Sequence, residues 1–148
     1  MDKYVVFLQN AWSPLYGGGT WQRPSWLRAL KLSRSGQRLR IMIDDYDLCE
    51  NTTPIVGKTP DSVIPPDFEY IQAILERRKP AIVVTCGKQA ETALLKVWQG
   101  ALLAVPHPAH RLVTDSLYRE ARTLLSADFC ERLALRQMKG FVSRVSVG

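Results

Sequence analysis

The residues best equipped for chemistry stand at the ends of short apolar runs. His107 follows Ala101-Leu102-Leu103-Ala104-Val105 and lies between Pro106 and Pro108. Each proline fixes its own φ and restricts the residue before it, so the imidazole sits in a rigid loop. Gln9 and Asn10 follow the run Tyr4–Leu8, Asp44 and Asp45 follow Leu39–Ile43, and Gly87 follows the run that begins at Ala81. An amide both donates and accepts hydrogen bonds, whereas an ionised carboxylate only accepts. Open α/β sheets collect their chemistry at the carboxyl ends of strands. With the four runs as parallel strands, an amide pair, a carboxylate pair, a glycine turn and a histidine share one edge. That is a site by convergence.

The elements that must position these residues alternate. Tyr4–Leu8, Leu39–Ile43, Ala81–Val84 and Ala101–Val105 are expected to be buried strands. Between them, Trp26, Leu27 and Leu30 predict a helix that opens at Pro24-Ser25 and is broken at Ser35-Gly36. Phe68, Ile71, Ile74 and Leu75 predict a helix from about Asp67 to Arg78, stopped by Pro80. Ala90, Ala93, Leu94 and Val97 place another over Lys88–Trp98, and Leu117, Ala121, Leu124 and Leu125 a last clear one over Ser116–Leu125. The tail over 127–148 is expected to be a helix plus a loose end. Asn51–Pro66 reads as a long proline-containing loop. Alternating strands and helices imply βαβ units. The expected fold is α/β: one domain over 1–148, a three-layer α/β/α sandwich around a central four-stranded parallel sheet.

A chain of 148 residues can bury about 70% of its unfolded surface, so no staple is needed to hold the core. The formal net charge is +6, which favours a polyanionic partner. The positive charge is concentrated in Arg23, Arg28, Lys31, Arg34, Arg38 and Arg40, with no acidic residue among them. Such a stretch is either a solvated helix face or a surface that follows a phosphate backbone. Cys49, Cys86 and Cys130 are widely spaced with no CxxC pair, which argues against a disulfide framework or a four-cysteine metal site. A reducing, cytoplasmic setting is expected. The chain enters an expected strand at once, so no signal peptide is expected, and no apolar run approaches the ~20 residues of a membrane span.

Four segments, in order over about Val5 to Leu125, resemble the uracil-DNA glycosylase superfamily. Leu8-Gln9-Asn10-Ala11-Trp12 falls at the family's first motif, which reads GQDPY, GINPG or GEAPG in its branches, although the glycine and proline are absent. Ile41-Met42-Ile43-Asp44-Asp45 with Cys49 resembles the thermophile-type strand, Thr-Asn and following cysteine. The other cluster cysteines are missing, so no iron–sulfur cluster is expected. Pro80 to Ala90 resembles the strand-Gly-x-x-Ala-helix element, and His107-Pro108-Ala109-His110-Arg111 the HPS or HPA motif with its arginine. The resemblance implies a degenerate member of the superfamily, nearest in pattern to the thermophile-type and mismatch-specific branches.

It further implies a DNA N-glycosylase that turns a nucleotide out of the helix and hydrolyses its glycosidic bond. His107 would donate to the base O2 as negative charge grows there, a contribution of roughly 3–4 kcal/mol. Asn10 would hold the attacking water, Gln9 would offer its main-chain N–H, Trp21 would stack on the base, and Trp12 would lie beside the base C5. Asp45 stands where the family has an asparagine that reads the base edge. A carboxylate there repels uracil O4 but accepts from cytosine N4, so it points to a cytosine-type base. Lys88, His110 and Arg111 would contact phosphates, and Leu112 would fill the space left by the base. No metal or cofactor is implied, DNA is the partner, and a monomer is expected.

Plainer readings stand beside these: a histidine satisfied by a backbone carbonyl, an Asx turn at Asn10, core packing for Trp21, solvated cations. One alternative is an inactive relative that binds DNA or a modified base. Another is a small nucleotide- or nucleoside-processing α/β protein, though GxGxxG and GxxxxGK[ST] are both absent.

Overall fold

Runs buried on both faces pair as parallel strands because helices can then cover each side. The computed structural model describes residues 3–9, 21–54, 64–110, 114–126 and 142–144. Its strands are β1 (Tyr4–Leu8), β2 (Cys49–Asn51), β3 (Ile82–Cys86), β4 (Ala101–Val105) and β5 (Val142–Arg144). They form one all-parallel sheet in the order β2-β1-β3-β4-β5. The α/β class and parallel sheet stand as expected. The fifth strand is a correction, since it pairs along β4 where the tail was expected to hold only a helix and a loose end.

The helices are α1 (Arg23–Leu32), α2 (Arg34–Met42), α3 (Phe68–Arg78), α4 (Lys88–Val97) and α5 (Asp115–Leu124). Val6, Leu8, Val84, Cys86, Leu103 and Val105 turn to one side and meet Trp26, Leu30, Leu39, Met42, Tyr118 and Ala121 of α1, α2 and α5. Val5, Phe7, Val83, Leu102 and Ala104 turn to the other and meet α3 and α4 through Ile71, Ile74, Leu75, Ala93 and Leu94. These two clusters make the three layers.

Leu39–Ile43 is not a strand. Leu39–Met42 is the last turn of α2 and Ile43 its cap, and Ser33 is the reason. Its side chain accepts from the Gly36 N–H at 3.0 Å, so one residue both closes α1 and caps α2. Gly36, Leu39 and Met42 then share the buried face, while Arg40 points out. Gly36, read from sequence as a breaker, is inside the helix because the α1 backbone passes too close for a side chain.

The second strand is instead Cys49-Glu50-Asn51, an edge strand with a buried carboxylate at its centre. The Glu50 side chain is 1% exposed and meets Arg23 Nε at 3.1 Å, Arg78 Nη2 at 3.0 Å and Arg77 Nη2 at 3.8 Å. The two contacts on Oε1 are ion pairs without hydrogen-bond geometry. Arg23 Nη2 also donates to the carbonyls of Asp47 and Cys49, each at 2.9 Å, and Arg78 donates to the Asp47 carbonyl at 2.6 Å. Two helix ends thus occupy acceptors beside β2, one way of blunting an edge strand.

Candidate functional site

The strand order sets where a ligand would sit. The chain leaves β1, adds β2 on one side, then returns to add β3 on the other. In doubly wound sheets the crevice lies at that reversal, outside the carboxyl ends of the two central strands. Leu8, Cys86 and Val105 are in register there, so Gln9, Gly87 and Pro106-His107 emerge side by side. The Gly87 N–H donates to the Val105 carbonyl at 2.9 Å, and the Thr52 N–H donates to the Leu8 carbonyl at 3.1 Å.

Gly87 shows why a glycine is needed at this turn. Its φ is +93°, and a Cβ built on it would lie 3.0 Å from the His107 Cβ and 3.4 Å from the His107 Cδ2. The missing side chain lets the imidazole cross the end of β3 toward β1. There the ring meets the Gln9 main chain. Burial pulls the His107 pKa below its ordinary value. The Gln9 backbone works in the opposite sense, and His110 adds a smaller lowering. A main-chain partner raises an imidazole pKa only by accepting from it, so the Gln9 carbonyl is the acceptor. The Ala109 N–H donates to Nδ1 at 3.0 Å. The ring is therefore the neutral tautomer with its proton on Nε2.

The loop is held from outside as well. The Tyr118 hydroxyl of α5 donates to the Pro106 carbonyl at 2.6 Å, and Arg38 of α2 donates to the Pro108 carbonyl at 3.1 Å. The His110 N–H closes the turn onto the His107 carbonyl at 2.9 Å. A neutral, half-buried histidine opposes acid. Its folded pKa lies below its unfolded one, so the unfolded chain binds the extra proton first and stability drops as pH falls. Lowering pH from about 7.5 to about 5.5 is expected to destabilise the native chain more than His107→Gln. Urea unfolding at the two pH values measures the difference.

On the β2 side, the Gln9 side chain is engaged at both ends of its amide. Its Nε2 donates to the Ile64 carbonyl at 2.6 Å and its Oε1 accepts from the Thr52 hydroxyl. Asn51, opposite Leu8 at the carboxyl end of β2, is buried, and its Oδ1 accepts from the Thr52 N–H at 3.0 Å. This amide was missed by sequence reasoning. Glu50 interrupts any apolar run before it, and Asn51-Thr52-Thr53-Pro54 reads as loop. The only available signal was an asparagine in the neighbourhood of Cys49.

Asp45 is not at this edge. It precedes β2 and caps the 3₁₀ turn Tyr46–Leu48, accepting from the Asp47 N–H at 2.9 Å, so it belongs to the amino side of the strand. Asp44 is exposed and paired with Arg122 of α5 at 2.7 and 3.1 Å, which holds its carboxyl below the usual range. The expectation that Asp45 reads a base edge therefore falls with the misplaced strand. Trp21 packs on Trp26, with ring centroids 5.5 Å apart, and against the core of that face. Lys88 opens α4 directly after Gly87, and it and His110 are exposed. Asn10, Trp12, Arg111 and Leu112 lie outside the described residues. Cys49 is buried, which pushes its thiol up to about 12 and keeps it protonated.

Gln9, Asn51, Gly87 and His107 thus come together from four strand ends. The arrangement offers a fixed N–H donor and a buried amide at a sheet crevice. Among the described residues, no group of three or more histidine, cysteine or acidic side chains is placed to hold a metal, and no helix is long and apolar enough to cross a membrane. Comparison with models of known protein families, with curated proteins and with solved structures finds no match.

Proposed function

We propose that the protein hydrolyses the N-glycosidic bond of a base turned out of DNA, as a divergent member of the uracil-DNA glycosylase superfamily. One observation carries this reading. His107 reaches over Gly87 to the end of β1 as a neutral imidazole with its proton on Nε2. A departing base accumulates negative charge on its O2, and a fixed neutral donor stabilises that charge without losing a proton of its own. In the free protein the Gln9 carbonyl occupies the donor. An incoming base oxygen would replace it.

With Asp45 elsewhere, Asn51 becomes the amide for the base edge. An amide accepts and donates, which suits uracil N3–H and O4. This reverses the preference for a cytosine-type base that Asp45 had suggested. Asn10, the next residue after Gln9, is assigned the attacking water. DNA is the partner, and the chemistry requires no cofactor.

The same His107 contact favours a second reading, a base-binding module without catalysis. A donor already satisfied by the Gln9 carbonyl can serve as a pin between β4 and β1. Oligonucleotides carrying uracil, cytosine or 5-substituted cytosine, single- and double-stranded, separate the two when assayed for alkali-labile abasic sites. The enzyme is expected to cleave at uracil, with His107→Ala slowing the step about 10²–10³-fold. Asn51→Asp is expected to move preference toward cytosine, because a carboxylate accepts from N4. DNA binding with no abasic product on any substrate would establish the module. No binding to any oligonucleotide would remove both readings.

A further inference from the structure

The six cations between Arg23 and Arg40 divide into two kinds once folded. Arg23 is turned inward onto Glu50 and the β2 carbonyls. Arg38 is turned onto the Pro108 carbonyl and faces Asp115 at 3.7 Å. The other four, Arg28, Lys31, Arg34 and Arg40, are all exposed. No ion pair joins any of them to a carboxylate among the described residues. Asp44 lies near enough to Arg40 to be influenced by it, but its ion pair is with Arg122.

Their spacing puts them on the outside of one helical layer. Arg28 and Lys31 are three apart on α1, and Arg34, Gln37 and Arg40 are each three apart on α2. The buried faces of both helices, Trp26 and Leu30 on one, Leu39 and Met42 on the other, meet the same side of the sheet. The opposite faces therefore look away from it together. At the elbow between them Leu32 stands 76% exposed, one residue after Lys31 and two before Arg34. The whole segment from Trp21 to Ile43 holds no acidic residue. Like charges held this closely repel one another and destabilise the free protein. A polyanion relieves that repulsion, and an array with both ion-pairing residues facing inward presents only positive charge outward.

We propose that the outer faces of α1 and α2 form a docking surface for a DNA phosphate backbone, carried by Arg28, Lys31, Arg34 and Arg40. The surface adjoins the His107 loop, because Arg34 is one helical turn from Arg38, which holds the Pro108 carbonyl. It extends the proposed DNA reading to a region outside the crevice. It does not depend on base excision.

The test uses the full chain and a duplex lacking any modified base, with affinity measured by fluorescence anisotropy between about 50 and 200 mM salt. Each phosphate contact contributes about −0.9 to the slope of log affinity against log salt. Changing all four residues (Arg28→Gln, Lys31→Gln, Arg34→Gln, Arg40→Gln) is expected to make the slope shallower by about 3 and to weaken binding at least tenfold at about 50 mM salt. The paired variants Arg28→Gln/Lys31→Gln and Arg34→Gln/Arg40→Gln, which keep the measurement valid should the fourfold variant misfold, are each expected to remove about half of that slope. A charge-matched control alters four exposed cations elsewhere, Lys3, Lys79, Lys96 and Arg119, and is expected to leave most of the slope in place. An unchanged slope in the stripe variants, or an equal loss in the control, overturns the proposal. Excision failing while the slope still responds to the stripe removes only the glycosylase reading.

Discussion

Replacing Glu50 with glutamine is expected to lower the unfolding free energy by about 3–5 kcal/mol, toward the lower end of that range. The swap keeps size and shape and removes one negative charge. Three guanidiniums then converge on a neutral amide inside the fold. Leaving a buried charge without its partner is the damaging step, since the partner no longer offsets its desolvation. The three arginines do not suffer equally. Arg77 is 66% exposed and can swing into water, whereas Arg78 is 15% exposed and is also committed to the Asp47 carbonyl. Most of the loss therefore passes through Arg78 and Arg23. A double-mutant cycle of Glu50→Gln with Arg78→Met, followed by urea unfolding, is expected to show strong coupling, the double variant losing less than the sum of the single ones. Additive losses would mean that the carboxylate acts by shape alone.

Gly36→Ala is expected to destabilise the protein by about 3 kcal/mol, against the sign that helix propensity predicts. Inside a free helix, alanine is better than glycine by about 1 kcal/mol. Here the new Cβ would fall 1.8 Å from the Leu30 carbonyl oxygen and 2.6 Å from its carbon. Those atoms are backbone, so no side-chain rotation relieves the overlap. α2 must move off α1. That movement also pulls on the Ser33 cap, whose hydroxyl accepts from the Gly36 N–H, and on Tyr46, whose hydroxyl donates to the Gly36 carbonyl. α2 carries Arg38, so displacement reaches the His107 loop as well. Thermal unfolding of the single variant measures the sign directly, and an unchanged or raised melting temperature refutes the close packing of the two helices.

The two substitutions mark where local pattern was a good guide and where it was not. The runs at Tyr4–Leu8 and Ala101–Val105 are apolar throughout, a pattern that suits a strand covered on both faces, and both are strands with those bounds. The i, i+3, i+4 spacing of Ile71, Ile74 and Leu75 needs only one buried stripe, and α3 lies where that spacing put it, with Asp67 accepting from the Tyr70 N–H as its cap. Leu39–Ile43 fits either period, since Leu39, Ile41 and Ile43 alternate while Leu39 and Met42 are one helical turn apart. Nothing within five residues decides between them. The tie is broken by Ser33, and by a helix–helix approach that only glycine permits.

That ambiguity carried the site with it. Reading α2 as a strand put Asp45 at the carboxyl edge, while the true strand is so short, and so interrupted by Glu50, that Asn51 passed for loop. A charge in mid-strand is tolerated only because Arg23 and Arg78 arrive from helices distant in sequence, 27 and 28 positions away. Likewise the prolines around His107 show that its loop is rigid but not which way the ring turns. Gly87 and the Gln9 carbonyl settle its direction. Periodicity and chain stiffness are properties of neighbours along the backbone, so the parallel α/β architecture and the histidine loop were legible from residue order. The edge on which a carboxylate stands, the acceptor an imidazole finds and the cations left outward depend on contacts between distant segments, and these exist only once the sheet has closed up.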